Sequence, residues 1–152
     1  MRLPPYSEPE FAPARWPLLP TLSYGTAVGL EPGLSARATL VVGVADTAQK
    51  MGSGTVEVLA TPRLIALCEE AACRAVDDHC GPSKTSVGVR VQFDHLAPVR
   101  PGSEVWADAA LEKVEGRRLT FTVTANDSSG LVGAGRVTRV VVDVENFLQK
   151  AR

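Results

Sequence analysis

Two hydrophobic periods run along the chain and divide it into segments. Between Ala36 and about Val44, Ala38, Leu40 and Val42 alternate with Thr39, Val41 and Gly43, which predicts a strand. Farther on the apolar positions take helical spacing, with Leu64, Ile65, Cys68, Ala71, Ala72, Ala75 and Val76 on one stripe. Thr61-Pro62 opens that helix in a common way, a hydroxyl N-cap followed by proline, whose missing N–H would be unpaired anyway. Gly81-Pro82 closes it just after His79.

The period then returns to two. Val87, Val89, Val91 and Phe93 alternate with Gly88, Arg90, Gln92 and Asp94. Val105 to Leu111 and Leu119 to Ala125 repeat the pattern, and a last strand runs from about Val132 to Val144. Glu115-Gly116 and Ser129-Gly130 stand where hairpin turns are needed. The expected order is strand, helix, then an antiparallel meander. One long amphipathic helix must cover the apolar sheet face, so the fold class is α+β, an antiparallel sheet wrapped around one central helix. Valine-rich strands with few charges also imply that an edge or face is buried against a second copy, a homodimer at least and a tetramer as the larger alternative.

Composition places limits on this picture. The chain has 152 residues, 45% hydrophobic and 22% charged, enough for one domain without staples. Six of its eleven prolines fall between Pro4 and Pro20, which excludes regular hydrogen-bonded structure there and sets residues 1–33 apart as an N-terminal arm before a domain spanning 34–152. A formal charge of −1 supplies no field for nucleic acid. Three cysteines, none in a CxxC pair, suggest neither a disulfide framework nor a zinc site. No apolar run is long enough for a membrane span and no secretory signal is visible, so a cytoplasmic protein is expected.

Candidate chemistry centres on three residues. Glu69 lies at the margin of the apolar stripe beside Ile65, Ala72 and Val76, where a carboxylate either snorkels to solvent or lines a pocket. Glu70 faces away, four residues before Arg74, and reads as a solvated ion-pair partner. His95 continues the parity of Val87 to Phe93, as a core histidine or as an acid, base or orienting group. Thr61 is either the helix cap or a hydroxyl in need of a base. Eight residues separate it from Glu69, a rise of roughly 12 Å along a regular helix.

Several segments, in order, carry a resemblance: Met51-Gly52-Ser53-Gly54, Glu57-Val58-Leu59-Ala60-Thr61-Pro62, Leu67-Cys68-Glu69-Glu70-Ala71-Ala72, His95-Leu96-Ala97-Pro98 with Pro101-Gly102, and Val114-Glu115-Gly116-Arg117-Arg118-Leu119. From Leu34 to the C-terminus the chain resembles the hotdog-fold acyl-CoA thioesterases grouped with fluoroacetyl-CoA thioesterase. The resemblance implies a hotdog fold and hydrolysis of an acyl-CoA or related thioester, with Thr61, Glu69 and His95 as the catalytic residues. It also implies Gly88, seven residues before the histidine, as the backbone donor to the thioester carbonyl. Arg90 and Arg117, with Arg100 and Lys84 behind them, are the candidates for the CoA phosphates. No metal or other cofactor is implied. Family members often carry histidine and glutamate before the arginine of the last strand; here Val137-Thr138 precede Arg139, so a polar role for that strand does not carry over. The competing expectations are a non-catalytic hotdog module that binds acyl-CoA, and a hotdog hydratase, for which no aspartate and histidine stand at the expected spacing.

Overall fold

The computed structural model describes residues 29–152. Most of the proline-rich arm therefore lies outside the described residues. The elements are β1 (Ser35–Val41), α1 (Ala48–Met51), α2 (Thr61–Val76), β2 (Lys84–His95), β3 (Glu104–Glu115), β4 (Arg118–Asp127), β5 (Gly130–Asp143) and α3 (Val144–Leu148). The strands form one antiparallel sheet in the order β1-β3-β4-β5-β2. The sheet curls around α2, which gives the expected α+β architecture of a sheet wrapped on one central helix.

The core explains the curl. Leu64, Leu67, Cys68, Ala71, Ala72, Ala75 and Val76 of α2 are buried against the inward residues of the middle strands, among them Ala107, Leu111, Phe121, Val123 and Ala125. Each fully buried leucine or phenylalanine contributes about 1.5–3 kcal/mol. The alanines let the helix axis come close to the sheet. The turn after β3 requires a left-handed residue, and Gly116 supplies it at φ +60°.

The pairing departs from the expected meander. Only β3, β4 and β5 form one; β2 crosses the helix and pairs with β5 at the far side, while β1 pairs with β3. The helix stripe is also turned slightly from expectation, with Leu67 buried and Ile65 half-buried. α2 ends at Val76, and a short 3-10 turn, Asp77–His79, completes it. The first strand stops at Val41, before a turn in which the Gly43 N–H donates to the Asp46 carboxylate at 2.8 Å.

One irregularity decides where the chemistry points. Register in the β2–β5 ladder passes from Gly88↔Arg139 to Arg90↔Thr138, which leaves Val89 as the extra residue of a bulge. Before the bulge Ser86 and Gly88 face the helix; after it Val91, Phe93 and His95 do. A single alternation from Val87 to His95 therefore does not hold. Val87 and Val89 turn outward, with Val89 44% exposed, while Gly88 and His95, expected on opposite faces, share one.

Candidate active site

The site is built from α2, β2 and β5. Thr61 does not cap α2: Ala60 holds the N-cap position, at φ −68° and ψ 139°, and Thr61 is the first helical residue. Its hydroxyl is thereby free of the backbone and lies 2.8 Å from Nδ1 of His95. In the tautomer with Nδ1 as acceptor, the Thr61 O–H donates to the ring and Nε2 carries the proton. Nε2 is buried and has no hydrogen-bond partner among the described residues. Burial pushes the His95 imidazole below its ordinary range, opposed by a smaller contribution from the Ala97 backbone. A neutral ring at neutral pH, bonded to a hydroxyl, is the arrangement of a nucleophile and its base.

Glu69 occupies the second half of the site. Its Oε2 accepts from Nη1 of Arg139 at 3.0 Å, and the same oxygen sits against Gly88, in the place a Cβ there would occupy. Glycine at 88 thus leaves the room that the Glu69 carboxylate occupies. Arg139 is 7% exposed; its Nε donates to Ser86 Oγ at 2.9 Å and its Nη2 to the Ser86 carbonyl at 2.8 Å. Its fork is fixed on three acceptors before any substrate arrives. Cys68, one residue before Glu69, is buried, and its thiol is pushed up to about 12, first by burial and then by the Glu69 charge, which removes it as a nucleophile.

The three residues expected to form a triad are therefore arranged as two pairs, Thr61–His95 and Glu69–Arg139, with Gly88 beside the second. α2 is regular between Thr61 and Glu69, so the two pairs stand two turns apart on one helix. Arg139 corrects the expectation that the last strand lacks a polar role. It was visible as the one charge within Val137-Thr138-Arg139-Val140-Val141-Val142. Glu70 pairs with Arg74 at 2.5 Å, as expected of a solvated neighbour. Arg90, opposite Thr138 just after the bulge, leaves β2 on the face away from Glu69 and His95. Arg117 lies in the β3–β4 turn, where its carbonyl accepts from Val141 N–H at 2.9 Å. Among the described residues no helix is long and apolar enough to cross a membrane.

Comparison with known proteins follows the same outline. Residues 42–145 match the model of a family described as fluoroacetyl-CoA-specific thioesterase. The fluoroacetyl-CoA thioesterase of Streptantibioticus cattleyicolor is 38% identical over 96 residues, covering 63% of this chain and 69% of that protein. A phenylalanine-to-alanine variant of the fluoroacetyl-CoA-specific thioesterase, solved in complex with fluoroacetate and CoA, superposes with a TM-score of 0.73 at 31% identity, covering 78% of this chain and 99% of that one. A hot-dog-like protein from Thermanaerovibrio acidaminovorans gives a TM-score of 0.72 at 28% identity, over 78% of this chain and 88% of that one.

Proposed function

Because the chain belongs to the fluoroacetyl-CoA-specific thioesterase family and so hydrolyses acyl-CoA thioesters, we propose that Thr61, His95, Glu69 and Gly88 divide the reaction between them. The observation that carries this reading is the 2.8 Å contact between Thr61 Oγ1 and His95 Nδ1. His95 takes the Thr61 proton as Oγ1 attacks the thioester carbonyl carbon. The Gly88 N–H lies beside Glu69, about 12 Å along α2 from Thr61, so the oxyanion it stabilises, an effect worth about 3 kcal/mol for donors of this kind, belongs to a carbonyl seated where two subunits bring the two pairs together. His95 returns the proton to the departing CoA sulfur. Glu69, paired with Arg139 and one-third exposed, activates the water that frees Thr61 as the acid leaves.

The working unit of this reading is a cytoplasmic homodimer. Exposed Val89 on the free edge strand β2 supports it, and the site would then lie between the helix of one subunit and the sheet of its partner. Arg90, pointing away from its own Glu69, is the candidate for the CoA phosphates across that boundary, with Arg117 at the sheet end.

An acyl-CoA panel, with free thiol as readout, tests the assignment. Glu69→Gln and Thr61→Val lose turnover, whereas Glu70→Gln keeps it. Rapid quench and intact mass measurement on Glu69→Gln show an acyl adduct on Thr61 if the hydroxyl is the nucleophile. Unmodified protein with no CoA release would instead make Glu69 the base for direct attack by water.

A further inference from the structure

Two glycines on β5, Gly133 and Gly135, face the helix side of the sheet opposite His95 and Phe93 respectively. A Cβ on Gly135 would run into the backbone of Gln92 and Phe93, so there the two strands themselves have drawn together. At Gly133 the nearest obstruction is a side chain: a Cβ would lie 2.5 Å from Cζ and 2.8 Å from Cε1 of Phe93, with the Asp94 carbonyl oxygen next at 2.9 Å. The phenyl ring thus leans along the ladder from its own partner, Gly135, onto the partner of His95. Directly opposed side chains in an antiparallel pair have Cβ atoms about 4.5–5.5 Å apart. The ring tip fills the position facing the imidazole that a Gly133 side chain would otherwise hold.

We propose that Phe93, seated in the gap left by Gly133, is a positioning residue that shields the His95 imidazole from water and fixes the ring that Thr61 bonds. The proposal rests on the reading above in which His95 accepts the Thr61 proton. Phe93 acts by lowering the polarity around a base, and a less hydrated imidazole resists taking a second proton.

Three observations support it. The His95 Nε2 atom is buried and has no hydrogen-bond partner among the described residues. Burial is the largest influence on the imidazole, and no charged side chain appears among its causes. The ionisable groups on the packing elements are otherwise engaged: on α2, Glu69 pairs with Arg139 of β5, and Arg63 pairs with Asp46 at 3.0 Å. Asp94 leaves β2 on the opposite face by strand alternation. Exclusion of water is what remains, and Phe93 is the largest apolar side chain next to His95 on its face of β2.

The chain has two histidines, so a His79→Asn background leaves one imidazole to follow by NMR titration. In that background Phe93→Ala raises the His95 midpoint by roughly half to one pH unit, and the acid limb of kcat/KM moves upward with it. Phe93→Leu, which keeps most of the apolar volume and folds if the alanine variant does not, gives a smaller shift of the same sign. Val91→Ala removes core volume from the same face and leaves the midpoint in place. An unmoved midpoint in both Phe93 variants alongside a lowered Tm overturns the proposal, as does an equal shift in Val91→Ala. A shifted midpoint with a stationary acid limb upholds the shielding and refutes His95 as the base.

Discussion

Replacing Arg139 by methionine isolates the polar half of the site. Methionine nearly matches the arginine stem in length and is apolar, so the hole left in the core is small, while all three hydrogen bonds vanish: to Ser86 Oγ, the Ser86 carbonyl and Glu69 Oε2. Removing one partner of a fully buried ion pair costs about 3–5 kcal/mol, because the other charge stays behind unpaired. Here the Glu69 side chain is 33% exposed, and water takes over part of the lost interaction. The expected cost is therefore about 2–3 kcal/mol. Urea unfolding followed by circular dichroism at pH 7 measures it, with the m-value checked for two-state behaviour. Glu69→Gln strands Arg139 at a buried position and costs a similar amount, so Arg139→Met/Glu69→Gln is less unstable than the sum of the singles by at least about 1 kcal/mol. A cost below about 0.5 kcal/mol, or additivity within about 0.3 kcal/mol, refutes the view that Arg139 holds Glu69 in place. Turnover of the folded Arg139→Met variant falls in parallel, since the carboxylate is then free to leave Gly88.

Further outcomes follow from the same geometry. Since Ala60 and not Thr61 caps α2, Thr61→Val changes unfolding free energy by less than about 0.5 kcal/mol while turnover collapses, and Thr61→Ser restores activity; a loss of about 1 kcal/mol or more would return Thr61 to a capping role. Gly88→Ala puts a methyl where the Glu69 carboxylate sits, so kcat falls by about a hundredfold while thermal denaturation still shows one cooperative transition. The folded-state pKa of His95 is depressed, so the unfolded chain binds more protons below the ordinary histidine value of about 6.5. His95 therefore contributes stability that is fully present above that pH and is lost as pH falls toward its folded value. Chemical denaturation between pH 7 and pH 5 detects this loss, and His95→Gln flattens it; an unchanged slope in that variant counts against the burial of the ring.

Most elements were legible because their hydrophobic periods are long and clean, and the helix from Thr61 was marked at both ends. What periodicity could not supply was the bulge. Val87, Val89, Val91 and Phe93 alternate without a break, and nothing local signals that Val89 is unpaired and that facing reverses around it. The cause is tertiary: Glu69 rests on Gly88, Arg139 reaches Ser86, and the strand must present both Gly88 and His95 to one helix. Strand order was hidden for a similar reason, since β2 and β3 are adjacent in sequence and both read as sheet, yet β2 is drawn across α2 to pair with β5. Thr61-Pro62 has the composition of a cap, and only the position of the chain at Ala60 releases the hydroxyl. Resemblance identified Thr61, Glu69 and His95 together; it did not reveal that they are held as separate pairs, nor that Arg139 completes one of them.

The alanine-rich face of α2 offers few ridges to stop the helix from sliding or rolling on its sheet. Its seating is indexed instead by two polar latches about 12 Å apart along the axis, Thr61 to β2 and Glu69 to β5. Two latches on different strands fix both rotation and translation, as a pair of dowels locates one plate on another. Insertion or deletion of a single residue between them would swing one latch by about 100°. The segment from Thr61 to Glu69 thus tolerates replacement of side chains far better than any change in length.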